Sequence, residues 1–237
     1  MGNASKRRAI ALLAASLASI PSAYALAAST LIRPTGNSSA AENLVERARL
    51  ALEDLKQDRE FGSSRDLMKH ARGMLIIPSL VKGGLLLGGE AGSGVLLIRD
   101  HAGWSNPAFY YLTSASIGLQ IGVEVSELVL FIMNDHAVDA LLGDGLKLGA
   151  QAGVAIATWG SLAEAAITTA GGTDIVAWSS STGIFAGLAL NGSIIRPRNS
   201  YNAEYYPGGP AAAVILKDRT KANPNSDKLR QTLDQLR

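Results

Sequence analysis

Glycines spaced four residues apart restrict this chain more than any other pattern in it. Gly84, Gly88 and Gly92 are followed by Gly118 and Gly122, by Gly145, Gly149 and Gly153, and by Gly183 and Gly187. On a membrane helix such spacing favours close helix pairing, but Glu90, Gln120, Glu124, Lys147 and Gln151 interrupt the runs and none is long enough to span a bilayer. On strands, positions four apart share a face. A face without side chains lets a sheet bend sharply or lets backbone approach backbone. The pattern predicts an α+β fold whose body is a curved or barrel-like antiparallel β-sheet, with a flat sandwich as the alternative.

Helices flank that body. Ser39-Ala40-Ala41-Glu42 has the spacing of a capping box, and Leu44, Ala48, Leu52 and Leu55 recur at helical spacing, which predicts a helix of about 18 residues. A second short helix is expected from Ser63 or Ser64, turning Leu67 and Ala71 inward and stopping at Gly73. The run MLIIP over 74–78 predicts a strand closed by Pro78. Further strands are expected over 94–99, 109–114, 117–125, 128–133, 146–158, 175–179 and 183–190. One helix interrupts them, capped by Asn134 or Asp135 and ended by Gly143, and a last one is expected over 226–236.

Charge divides the chain the same way. Residues 42–72 hold seven basic and seven acidic side chains, 73–195 hold three and nine, and 196–237 hold eight and four, while 20 of the 25 glycines fall in the middle segment. Lys6, Arg7 and Arg8 precede an apolar run from Ala9 to Ile20 and then Ala23-Tyr24-Ala25, the layout of a secretory signal peptide with its cleavage site. The run is short for a membrane anchor. The expected organisation is a signal peptide over 1–25, a linker over 26–41, a domain over 42–209 and a tail with a short helix over 210–237. Cleavage leaves 19 basic against 20 acidic residues, so net charge gives no support for nucleic-acid binding. The expected location is exported, periplasmic or secreted.

Catalytic patterns are missing. The chain has no cysteine, which removes disulfides, thiolate metal sites and cysteine nucleophiles. It has no G-x-S-x-G, no phosphate-loop motif and no H-E-x-x-H. His70, His101 and His136 stand apart from one another, and Glu124 and Glu127, three apart on a strand, point to opposite faces. The glycine-rich stretch over 83–94 lacks the G-x-G-x-x-G spacing and reads as turn and strand. No enzyme, metal or cofactor is expected.

The blocks ARGMLIIPSLVKGG over 71–84, GGEAGSGVLL over 88–97, WSNPAFYYLT over 104–113, GLQIGVEVSELVLFIMND over 118–135, KLGAQAGVA over 147–155, GIFAGLALNGS over 183–193 and NAEYYPG over 202–208 resemble, in order, the SYLF-domain family. The resemblance implies a compact β-rich domain preceded by helices, without established enzymatic activity. It also implies phosphoinositide or other phospholipid binding, helped in eukaryotic members by an amphipathic helix, and actin binding in some. The family's usual Asp-Leu-Val reads Glu127-Leu128-Val129 here, and export would separate the chain from actin.

Lipid binding needs cations at an anionic surface, each contributing on the order of 1 kcal/mol. Lys69 and Arg72 at the end of the second helix, and Lys82 in the best-matching block, are the candidate headgroup ligands. The apolar face of the first helix (Leu44, Val45, Leu52 and Leu55) could lie in the interface or pack on its own sheet. The expected partner is thus an anionic phospholipid membrane surface, with an envelope protein as the alternative. An outer-membrane barrel fits poorly with 5% aromatic residues.

Overall fold

The order in which the strands pair explains why the sheet must bend. The computed structural model describes residues 38–57, 65–84, 87–117, 122–156, 173–180, 190–219 and 221–236. The expected signal peptide, most of the linker and residues 183–189 of the expected strand lie outside them. The elements are α1 (Ala40–Gln57), α2 (Arg65–His70), β1 (Gly73–Gly84), β2 (Leu87–Asp100), β3 (Gly103–Trp104), β4 (Ala108–Ile117), β5 (Gly122–Ile132), α3 (Asp135–Leu142), β6 (Leu146–Lys147), β7 (Val154–Ile156), β8 (Ile175–Ser179), β9 (Ile194–Pro197), α4 (Asn199–Tyr205), α5 (Ala212–Asp218) and, after a 3₁₀ turn at Pro224–Ser226, α6 (Asp227–Gln235).

Eight strands pair in the order β6-β9-β4-β2-β1-β5-β8-β7, with β3 added to β2. Laid flat, eight strands would span roughly 34 Å at the usual strand spacing. Yet the two outer strands, β6 and β7, are joined by residues 148–153 alone, a link that reaches at most about 25 Å when fully extended. The edges must therefore swing towards each other, and the sheet is a strongly curled half-barrel. It is antiparallel except for the parallel pair β7 and β8.

Register assigns each side chain to a face. Met74, Ile76, Val95, Phe109 and Phe131 share the face on which α1 and α4 lie, where Phe109 meets Tyr201 and Tyr205 edge-on at 5.9 and 5.2 Å. The opposite face carries α3, because the buried Tyr110 donates its hydroxyl to the Leu141 carbonyl at 2.9 Å. Asn202 accepts from the Phe109 amide at 2.8 Å and Tyr206 donates to the Pro107 carbonyl at 2.7 Å, which fixes α4 to the start of β4.

The predicted caps form. Ser39 Oγ accepts from the Glu42 amide at 3.1 Å while the Glu42 carboxylate accepts from the Ser39 amide at 3.0 Å. The helix they start is 18 residues long and buries Leu44, Val45, Leu52 and Leu55 against the sheet. Asn134 Oδ1 caps α3 by accepting from the Ala137 amide. Several boundaries differ from expectation. Residues 122–132 form one continuous β5 rather than parts of two strands, and the strand expected over 146–158 is broken by a turn at Gly149–Gln151 into β6 and β7. Helices α4 and α5 were not expected; their short windows carry too few apolar repeats to show a period.

Pro78 does not close β1. It lies inside a central strand, at a bulge where β1 holds one residue more than both neighbours between Ile77 and Leu80. A proline lacks the N–H that a regular central position must donate, and a bulge is where that lack is tolerated. Two glycines on β2 make room for the bulge. A Cβ on Gly92 would stand 2.6 Å from Ile77 Cγ2 and 2.9 Å from the Ser79 carbonyl oxygen, and one on Gly94 would press on the Ile76 carbonyl and stand 2.7 Å from Ile77 Cγ1.

Gly94→Ala is expected to destabilise by about 1–3 kcal/mol through overpacking. Gly143→Ala, with φ −84° and no atom nearer than 3.6 Å, should stay within about 0.5 kcal/mol. Urea unfolding of the two variants measures the contrast.

Candidate functional site

The three cations singled out from sequence are not brought together. Lys69 is exposed in the last turn of α2, where its carbonyl accepts from the Arg99 guanidinium. Arg72 is exposed just before β1 and faces Asp135 at 3.5 Å. Lys82 stands at the far end of the same strand, roughly 30 Å away at 3.3 Å per residue. It is buried on the α3 face, 3.9 Å from the equally buried Glu90. A cation enclosed in this way cannot meet a membrane surface together with Lys69 and Arg72.

The apolar stripe of α1 is occupied as well. Leu44 is 6% exposed and Val45, Leu52 and Leu55 less, so this face serves the core. Among the described residues no helix is long and apolar enough to cross a membrane, and no group of three or more His, Asp or Glu side chains could hold a metal ion.

Beyond the end of the helical layer, no described helix covers the α1 face of the sheet. Val125, Val81, Ala91 and Thr113 form one row across β5, β1, β2 and β4, and Val123, Gly83, Gly89 and Ala115 form the next. Val123 is 68% and Val125 52% exposed, and Ala91, Thr113 and Ala115 are exposed too. Neither row holds a charge. Uncharged strand surface with two projecting valines is unusual for a face left to water.

Two arginines border this patch. Arg47, on α1, donates to Ser79 Oγ at the β1 bulge, and Arg198, just before α4, donates to Ser93 Oγ on β2. Ser79 and Ser93 lie across from each other, because the bulge falls between the pairs Ile76–Val95 and Leu80–Gly92. Arg198 also stacks on the Tyr201 ring at 3.6 Å. Burial lowers the Arg47 pKa from its usual value, with Tyr201 nearby acting in the other direction. Their partners are neutral hydroxyls and a ring. Arg49, Arg72, Lys82, Lys217, Arg219 and Arg230 each face a carboxylate, whereas no described carboxylate pairs with Arg47 or Arg198. Arg196, opposite Tyr111 on β4, continues the basic border and shares a cleft of about 440 Å³ with Asp144 and Asn199. On the β5 side the border is acidic: burial raises the pKa of the half-buried Glu127, and Asp54 on α1 raises it further.

Sequence reasoning missed Arg47 and Arg198 because they are 151 positions apart by number and only the fold joins them. A usable signal was present in Arg47, a cation beside the apolar stripe of α1 instead of opposite it.

On the α3 face the row runs Glu124, Lys82, Glu90 and Ser114 across β5, β1, β2 and β4. Burial is the main cause that raises the Glu90 pKa from its ordinary 4.5; Lys82 opposes it and Glu124 adds to it. The folded protein therefore keeps this proton to higher pH than the unfolded chain does, so stability falls as pH rises from the ordinary value through the folded one. Glu90→Gln should reduce that fall without abolishing it, since Glu127 is shifted the same way. Urea midpoints from about pH 4 to about pH 7 will show it.

A family profile described as Ysc84, Las17-binding protein actin regulator, matches residues 113–236. Protein YSC84 of Saccharomyces cerevisiae is 33% identical over 188 residues, covering 76% of this chain and 40% of that protein. LAS seventeen-binding protein 3 of the same yeast is 33% identical over 195 residues, covering 79% and 42%. The human SH3 domain-containing YSC84-like protein 1 is 30% identical over 208 residues, covering 84% and 60%. The chain thus spans 40 to 60% of the length of these curated relatives. No solved structure gives a significant match.

Proposed function

The chain belongs to the Ysc84, or SYLF, family, and on that footing we propose that it is a non-enzymatic lipid-binding protein that docks on an anionic membrane surface through the patch around Val123 and Val125. The observation that carries this reading is the pairing of exposed, uncharged strand surface with two arginines that no described carboxylate neutralises. Apolar side chains enter the interfacial region while guanidinium groups stay at the level of the phosphates, and the two contributions add. Arginine suits this role because its planar fork holds phosphate oxygens in pairs. Asp54 and Glu127 orient the contact, since the acidic border is repelled where the basic one is drawn in.

Export is part of the same proposal. Cleavage after Ala25 places the domain in the periplasm or outside the cell, on the membrane surface it meets there. N-terminal sequencing of the protein recovered from envelope fractions should begin at Leu26, and an intact Met1 end would overturn export.

A second reading follows from the relatives' names, which describe Las17-binding and actin-regulating proteins. An acidic protein surface presents carboxylates to the same two arginines, so actin filaments or another protein partner would compete for this patch.

Co-sedimentation with vesicles and with actin filaments separates the two. Binding to vesicles containing phosphatidylglycerol or phosphatidylinositol, weakened by salt and absent with phosphatidylcholine alone, is the expected result. At on the order of 1 kcal/mol each, Arg47→Gln and Arg198→Gln should weaken it about fivefold apiece, and Val123→Ser with Val125→Ser should weaken it further. Lys69→Ala with Arg72→Ala should leave it unchanged. Loss of binding in that last variant alone would move the site to the opposite end of β1, and sedimentation with actin but not vesicles would favour the second reading.

A further inference from the structure

We propose that Lys82, Glu90 and Ser126 form a binding site for a small polyhydroxyl ligand on the α3 face of the sheet, separate from the membrane patch. The Lys82 and Glu90 side chains are 10% and 5% exposed, yet their nearest charged atoms are 3.9 Å apart, too far for a hydrogen bond. Glu90 Oε2 and Ser126 Oγ are buried with no hydrogen-bond partner. Groups so deeply buried are nearly always satisfied in native proteins, and two orphaned oxygens on the strands either side of Lys82 mark a place where a partner belongs. Ser126 pairs in register with Leu80, two residues before Lys82, and Lys82 pairs with Glu90.

The chemistry of the missing partner follows from the three groups. Whatever bridges Lys82 and Glu90 must accept from an ammonium and donate to a carboxylate. A hydroxyl does both with one atom, and it still pairs with Glu90 if that carboxyl is protonated, by accepting from it. Ser126 needs a second hydroxyl, which gives the ligand at least two. A simple anion would meet Glu90 and the neighbouring Glu124, and a simple cation would meet Lys82. Leu80, Leu112 and Leu128 are buried on this same face, an apolar surround that suits the edges of a sugar or cyclitol ring, and the exposed Glu124 stands at the end of the row. The hydroxyls could belong to a free sugar or cyclitol or to the headgroup of a neutral glycolipid.

Isothermal titration of the full chain with glucose and with myo-inositol, beside phosphatidylcholine vesicles with and without a neutral galactolipid, tests the proposal and its two sources. Inorganic phosphate and methylammonium serve as anion and cation probes. Saturable binding of at least one polyhydroxyl probe is expected, weakened tenfold or more by Ser126→Ala and by Glu90→Gln and unaffected by Arg47→Gln with Arg198→Gln. Thermal unfolding confirms that each variant is folded. No saturable binding of any polyhydroxyl probe would overturn the proposal, as would binding unchanged in both Ser126→Ala and Glu90→Gln, or a crystal structure grown with the probes showing water alone between Lys82 and Glu90.

Discussion

The bulge at Pro78 and Ser79 is the constraint on which the rest of the molecule depends. One extra residue in a central strand reverses which positions face α1, so that beyond it Leu80 and Lys82 join the face of Leu75 and Ile77. Without that reversal the row Glu124, Lys82 and Glu90 would be broken. The same residue turns the Ser79 hydroxyl towards α1, where it receives Arg47. Gly92 and Gly94 permit the arrangement because neighbouring backbone occupies the space their side chains would need.

From that point the two faces differ in how charge is handled. On the α3 face a lysine and a glutamate are enclosed together in an apolar setting, where the cost of desolvation is offset only in part by a distant partner. On the α1 face two guanidinium groups rest on hydroxyls beside uncharged strands. By contrast, Arg219 is matched by Asp100 and Arg49 by Glu46 and Glu53 in the ordinary way. At the Arg47 and Arg198 contacts and in the inner row local pairing is incomplete: no described carboxylate meets either arginine, and Glu90 Oε2 and Ser126 Oγ have no hydrogen-bond partner.

Much of the fold was legible because its determinants are local. The capping box at Ser39 and Glu42 and the Asn134 cap are short-range patterns, and the structure follows both; of the glycines spaced by four, Gly88 and Gly92 share a face of β2, whereas Gly84 lies on β1 and Gly145, Gly149 and Gly153 lie outside the strands. The expected curvature of the sheet is present, and the strand order with the short link between β6 and β7 accounts for it. Pro78 misled because proline ordinarily ends a strand, and a bulge depends on what the neighbouring strands contain, here Gly92 and Gly94. The candidate site was less legible. Lys69, Arg72 and Lys82 are near in sequence, but Lys69 is in α2 and Arg72 just before β1 while Lys82 is near the far end of that strand, and extension separates what proximity in number joins. Arg47 and Arg198 have the reverse relation.

The ordering of the strands bears on how this protein survives in concentrated solution. Its two outermost strands have two and three residues and are tethered to each other by six, so neither offers a long row of unpaired backbone groups to a neighbouring molecule. A sheet this rich in valine, leucine and isoleucine would otherwise be a template for edge-to-edge aggregation. At β6 and β7 the exposed border is too short to hold a copy of the chain in register, so edge-to-edge growth from these two strands is discouraged.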